Sequence, residues 1–146
     1  MNAVDLKRFP LLAKLSDADR ETLCELLEES RIPAKRTLFR ESSEADGMFM
    51  ILSGQIRLTS SRTSESASVG AGQVIGGLSL VVVGPREATA KIEEAVELLF
   101  LPRTSFRRLV DDAPRAAARL LESLLIDSAA SARELLPSAG DPWESR

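Results

Sequence analysis

The chain changes its hydrophobic rhythm twice. In the first third, Ala18, Thr22, Leu23, Leu26 and Leu27 recur at three- and four-residue spacing, the period of a helix with one buried face. Ser16 stands before them with Asp19 three residues on, a capping-box pattern with Asp in place of the usual Glu, and Pro33 closes the segment. Upstream, Leu6, Phe9, Leu11, Leu12 and Leu15 surround Pro10, which predicts a short broken turn packed on the same core. Residues 1–33 are therefore expected to form N-terminal helices.

From 34 to 102 the apolar stretches shorten to 37–40, 48–52, 55–59, 88–92 and 96–101, with Gly- or Ser-rich turns between them. Ile56 and Leu58 alternate with Arg57 and Thr59, as Val96, Leu98 and Phe100 do with their neighbours, which marks half-buried antiparallel strands. Ser53-Gly54 predicts a hairpin turn, with Gly supplying a positive φ. Residues 60–68, rich in Ser with Arg62 and Glu65, predict a solvated hairpin tip. The helical period returns over 103–136. Phe106, Leu109 and Val110 share one face, and Asp112 is placed to cap a new helix with Pro114 in its first turn. Ala117, Leu120, Leu121, Leu124 and Leu125 continue that helix until Pro137, Gly140 and Pro142 end it, leaving 137–146 as a tail. The expectation is one domain over 1–136, mainly β with flanking α, built as a sandwich or jelly-roll barrel.

Composition narrows the chemistry. The 146 residues contain no His, no Tyr and a single Cys, Cys24. Imidazole general-base catalysis, Ser–His–Asp and Cys–His nucleophile systems and His-ligated metal sites are thereby excluded. A lone thiol makes no disulfide, and residues 1–8 have no apolar signal core, so the chain reads as reduced and cytoplasmic. A net charge of −3 argues against a nucleic-acid partner. The longest apolar run, 78–83 with Ser79 inside it, is too short to span a membrane. No catalytic residue and no metal ligand is expected.

One segment stands apart from strand filler. Gly72-Gln73-Val74-Ile75-Gly76-Gly77-Leu78-Ser79-Leu80 is followed by Val81-Val82-Val83-Gly84-Pro85-Arg86-Glu87-Ala88. Clustered Gly lets backbone approach a ligand with its N–H groups aimed inward, and a helical turn starting near Leu78 adds unpaired donors. Arg86, nine residues beyond Gly77, is close enough to fold back and fork onto a phosphate.

These residues resemble the cyclic-nucleotide-binding domain family, the sensor module of catabolite-activator proteins, kinase regulatory subunits and gated channels. Met50-Ile51-Leu52-Ser53-Gly54-Gln55-Ile56-Arg57-Leu58 is similar to the family's strand–Ser–Gly–strand stretch, the segment 72–80 to its phosphate-binding cassette, and Pro85-Arg86 to its Pro–Arg step. The resemblance runs from Phe9 to about Leu136 and implies an eight-stranded jelly roll, a double-stranded β-helix, flanked by helices. It implies a ligand site of Ile75, Gly76, Gly77, Leu78, Ser79, Arg86, Glu87 and Ala88, with Ser128 or Ser131 near a base on the last helix. Cyclic AMP or cyclic GMP is the implied ligand, no cofactor is implied, and helix 113–136 is a candidate homodimer face.

The departures from the family fall on that site. Gly77 stands where the family has a Glu that holds the ribose hydroxyl, and Glu87 where it has a small residue beside the phosphate. Losing a charge-assisted hydrogen bond costs roughly 1.5–3 kcal/mol. A carboxylate about 5 Å from a phosphate costs roughly 3 kcal/mol at an effective dielectric near 20. Lys35 and Ser42 align with two turn glycines of the family. Only about ten residues follow Leu136, which leaves no room in this chain for a DNA-reading helix; Arg103, Arg107, Arg108, Arg115 and Arg119 share their helices with acids and read as solvated faces.

Three functions compete on this reading. The chain is a stand-alone regulatory module that senses an anionic nucleotide-type ligand and signals to an unknown protein partner through its last helix. Alternatively it is a degenerate domain that binds no nucleotide and serves as an interaction or dimerisation module. A small cupin-type enzyme shares the barrel shape, but the absence of His removes its usual metal ligands.

Overall fold

The computed structural model describes the backbone of residues 3–135 and the side chains of residues 6–127. Two long strands carry the architecture, β4 (Gly47–Thr59) and β8 (Thr89–Pro102), paired antiparallel from Gly47↔Pro102 to Thr59↔Thr89. On the far side of β8 lie β1 (Glu28–Ile32) and β2 (Thr37–Phe39), and on the far side of β4 lie β5 (Ser66–Gly70) and β6 (Val74–Ile75). The short strands β3 (Glu44–Ala45) and β7 (Gly84–Pro85) form a separate two-stranded sheet. Among the described residues three α-helices flank this jelly roll: α1 (Asp17–Leu26), α2 (Arg103–Asp112) and α3 (Pro114–Leu135). Among the described residues no helix is long and apolar enough to cross a membrane.

Residues 47–52 of β4 and 96–101 of β8 are largely buried on both faces, which explains why the sequence there reads as apolar runs, whereas 53–59 and 89–95 expose one face and alternate. Met48, Met50, Leu99 and Leu101 face one core with Leu6, Phe9, Leu12, Leu23, Phe106 and Leu120. Ile51, Ile56, Ile92, Val96 and Leu98 face the barrel interior, joined by Ile75 and Ala90. The broken turn around Pro10 packs on the helical core as its pattern predicts, with Phe9 and Leu12 fully buried. Ser16 caps α1, its hydroxyl accepting from the Asp19 N–H at 3.1 Å.

The structure corrects four local expectations. The helix read as running to Pro33 ends at Leu26, and residues Glu28–Ile32 are strand β1, paired with Val96–Phe100 of β8. Leu27 leaves the helix in extended conformation, and the charged Glu28, Glu29 and Arg31 suit a solvent-facing edge strand. Ser53-Gly54 is no hairpin turn: it lies inside β4, where the register with β8 slips around Ser53 and Gln55 and Gly54 takes φ +94°. A Cβ on Gly54 would run into the Ala95 carbonyl, so the irregularity requires Gly for space as well as for φ. The predicted tip 60–68 is shorter, since Ser66 already begins β5. Asp112 closes α2 instead of capping the next helix, and Pro114 itself opens α3 after Ala113. Pro137, Gly140, Pro142 and the predicted tail lie outside the described residues.

Lys35 and Ser42 are the non-glycine residues with positive φ among those described, 73° each. These are the two positions that align with turn glycines in the resemblance. The N–H of Lys35 donates to the Ile92 carbonyl and that of Ser42 to the Arg86 carbonyl, both at 2.8 Å, so the turns are held from outside. The left-handed region costs an L-residue roughly 1–2 kcal/mol, against about 0.5–1 kcal/mol of backbone entropy for Gly. Lys35→Gly is expected to raise the unfolding free energy by about 0.5–1 kcal/mol in urea denaturation; a loss of stability would show that the turn is not strained.

Candidate functional site

A cavity of about 410 Å³ opens between the Gly77–Leu80 turn, the chain from Gly84 to Ala88, the barrel residues Phe39 and Leu58, and α3. Gly76 enters the turn in left-handed conformation, φ 77° and ψ 30°. A Cβ there would lie 2.5 Å from the Arg86 Nη1 and 3.2 Å from the Gly47 carbonyl, so the guanidinium sits directly behind the turn. The residues Gly77–Leu80 then wind as a single 3-10 helix, whose leading amides have no acceptor within so short an element.

Arg86 is the chemical centre. Its backbone is fixed on both sides: the Ser42 N–H donates to its carbonyl at 2.8 Å, and its own N–H donates to the Ser43 carbonyl at 2.7 Å. The side chain is only 4% exposed. Nη1 donates to the Ser79 hydroxyl at 3.4 Å, and Nη2 to the Asp46 carboxylate at 3.3 Å and the Gly47 carbonyl at 3.2 Å. The guanidinium also stacks over Phe39, 4.4 Å from its ring centroid, with Phe49 at 5.4 Å. Phe49 stacks in turn on Phe39 and Phe100. Nε is buried without a partner. Burial pushes the guanidinium below its usual pKa, the Asp46 carboxylate pulls it back up, and the positive charge of Arg103 lowers it further.

The sequence-predicted residues Ile75, Gly76, Gly77, Leu78, Ser79, Arg86, Glu87 and Ala88 all line this cavity. Glu87 is exposed at its rim with no ion pair among the described residues, so solvent screens the carboxylate that the resemblance places beside a phosphate. The side chains of Ser128 and Ser131 lie outside the described residues; the α3 residues that line the cavity are Leu124 and Asp127. Leu124 belongs to the predicted apolar stripe and Asp127 directly precedes Ser128, so each was within reach of the pattern. Phe39 carried no signal, because a lone aromatic in a strand reads as core.

Residues 29–113, more than half of the chain, match the cyclic nucleotide-binding domain family. The chain belongs to that family. It is 29% identical over 116 residues to a cyclic nucleotide-gated potassium channel of Rhizobium etli, a match covering 80% of this chain and 32% of the channel. The chain spans a third or less of the length of the curated relatives it matches. The N-terminal domain of a transcriptional regulator from Streptomyces coelicolor superposes with a TM-score of 0.77 at 29% identity, covering 90% of this chain and 95% of that one. A cyclic nucleotide-binding domain from Methylobacillus flagellatus shares the fold with a TM-score of 0.79 at 23% identity, over 92% of this chain and 78% of that one.

Within this cyclic nucleotide-binding fold, the departure at position 77 has a structural counterpart. A Cβ on Gly77 would lie 2.5 Å from Leu124 Cδ2, so α3 fills the space that a side chain there would take. The helix is also fastened to the N-terminal turn, Arg119 donating to the Lys14 carbonyl at 3.1 Å and Lys14 pairing with Glu122 at 3.5 Å. Gly77→Ala is expected to cost about 1–3 kcal/mol by overpacking, and Leu124→Ala about 2–4 kcal/mol by leaving a void. The double variant should cost at least about 0.5 kcal/mol less than the sum in a urea denaturation cycle. Simple additivity would show that the two positions do not share space.

Proposed function

We propose that the chain is a regulatory module that takes an anionic nucleotide-type ligand, cyclic AMP or cyclic GMP, in the cavity of about 410 Å³ and signals occupancy to a partner protein through α3. The observation that carries this reading is the state of Arg86: a buried guanidinium whose three hydrogen bonds are 3.2–3.4 Å long and whose Nε has no partner. Charge-assisted bonds to a phosphate run about 2.7–2.9 Å and form in parallel pairs. A cyclic phosphate is thus a better partner than the present set, and Asp46, 71% exposed, gives up its share at little cost to itself.

The link to a partner follows from the packing at Gly77. A ligand whose sugar enters the space beside Gly77 displaces Leu124, and binding free energy is thereby coupled to the position of α3. Leu125 and Ile126, 66% and 52% exposed, are apolar side chains that the same helix offers to a protein partner or to a second copy of the chain.

A second reading is favoured by the same contact seen from the other side. Leu124 already covers Gly77, and the two carboxylates lining the cavity, Glu87 and Asp127, oppose an anion. On that reading the domain binds no nucleotide and serves as an interaction module. Calorimetry with cyclic AMP, cyclic GMP and cyclic dinucleotides separates the two. The sensor reading expects saturable heat with at least one of them and a loss of at least about tenfold in affinity for Arg86→Gln, equivalent to roughly 1.4 kcal/mol. A folded protein that gives no heat at millimolar ligand leaves the interaction module.

A further inference from the structure

We propose that Arg103 is a positioning residue that clasps the Gly77–Leu80 turn to the corner at 45–47 and carries the state of Arg86 to the start of α2. For what Arg86 responds to, it rests on the sensor reading above. The sequence placed Arg103 on a solvated helix face; the structure turns it inward.

Arg103 is the first residue of α2, directly after β8. Its backbone N–H donates to the Asp46 carbonyl at 2.8 Å. Its Nε donates to the Ser79 carbonyl at 2.8 Å, and its Nη2 donates to the carbonyls of Ala45 and, at 3.4 Å, Val82. One residue therefore ties β3, the corner that leads into β4, the turn beside the cavity and the chain leaving that turn. A planar fork suits several acceptors held at fixed angles; an ammonium does not reproduce it.

Arg86 grips the same two places. It holds the corner through the Asp46 carboxylate and the Gly47 carbonyl, and the turn through the Ser79 hydroxyl. Ser79, itself buried, is thus pinned twice, at its hydroxyl by Arg86 and at its carbonyl by Arg103. The two guanidiniums are close enough for the charge of Arg103 to bear on Arg86. When Arg86 turns toward an anion, the corner and the turn lose one of two restraints. The remaining one belongs to α2, so both shift together with that helix. From there Phe106 and Leu109 share the core with Leu120 and Leu124 of α3.

Amide hydrogen exchange on the whole chain tests the clasp without needing a ligand, because Arg86→Gln releases the first restraint by itself. Arg86→Gln alone is expected to speed exchange about tenfold both in the turn at 77–80 and in α2 at 106–109. With Arg103→Gln also present, the effect of Arg86→Gln should stay in the turn and no longer reach α2. Arg103→Lys, which keeps the charge and is the gentler change if Arg103→Gln fails to fold, should behave like Arg103→Gln. The proposal is overturned if Arg86→Gln reaches α2 equally with and without Arg103, if the two substitutions merely add, or if Arg103→Lys restores the wild-type pattern. A parallel titration with cyclic AMP and cyclic GMP keeps the two ideas apart. Saturable binding that leaves α2 exchange unchanged overturns the relay and spares the sensor reading, whereas no binding by the wild type retires the sensor reading and leaves the clasp to the Arg86→Gln comparison.

Discussion

Taking the Arg86 guanidinium out of water removes solvation that only oriented oxygens and aromatic faces can return, and much of the local architecture supplies them. The 45–47 corner offers a carboxylate and a carbonyl, Ser79 a hydroxyl, and Phe39 and Phe49 their ring faces. Position 76 suits glycine because its φ is 77° and a Cβ there would crowd the guanidinium at 2.5 Å and the Gly47 carbonyl at 3.2 Å. The turn at Ser42 is held in a left-handed conformation while its N–H bonds the Arg86 carbonyl. Each of these features is odd when taken alone. Together they are the environment of one buried cation.

That environment was legible in part. The glycine cluster and Arg86 announce themselves because their chemistry is unusual in a strand-rich segment, and all eight residues from Ile75 to Ala88 read as a site come together at one cavity. The long strands were harder. Ser53-Gly54 has the composition of a turn, and only pairing with β8 over its whole length tells a bulge from a hairpin. Glu28–Ile32 has few apolar residues to betray a strand; its pairing is set by the backbone edge of β8, which no local pattern reports. Arg103 was missed for a similar reason: charged neighbours along a helix suggest solvent, and its inward direction is decided by carbonyls more than twenty residues away.

α3 combines two conditions that pull against each other. Residue 77 lacks a side chain, so the helix comes down onto the turn and Leu124 is buried there. One residue later the helix presents Leu125 and then Ile126 to solvent. The helix is seated on the core through Ala116, Ala117, Leu120 and Leu124, and it is anchored from the N-terminal turn through Arg119 and Lys14. Leu124 is the point at which that core meets the cavity, so a ligand placed beside Gly77 would act on the helix there.

The division of labour between strands has a longer consequence. Residues 47–52 of β4 and 96–101 of β8 form a wall whose two faces serve two cores, so most substitutions there are felt as lost stability. The cavity, in contrast, is lined mostly from loops, short strands and the middle of α3, with Leu58 a lone contribution from the two long strands. The lining of the cavity can therefore drift through neutral sequence change at those peripheral positions while the scaffold stays intact. Such a domain is well suited to lineages in which a recognition pocket is repeatedly retuned, or abandoned, without the fold being put at risk.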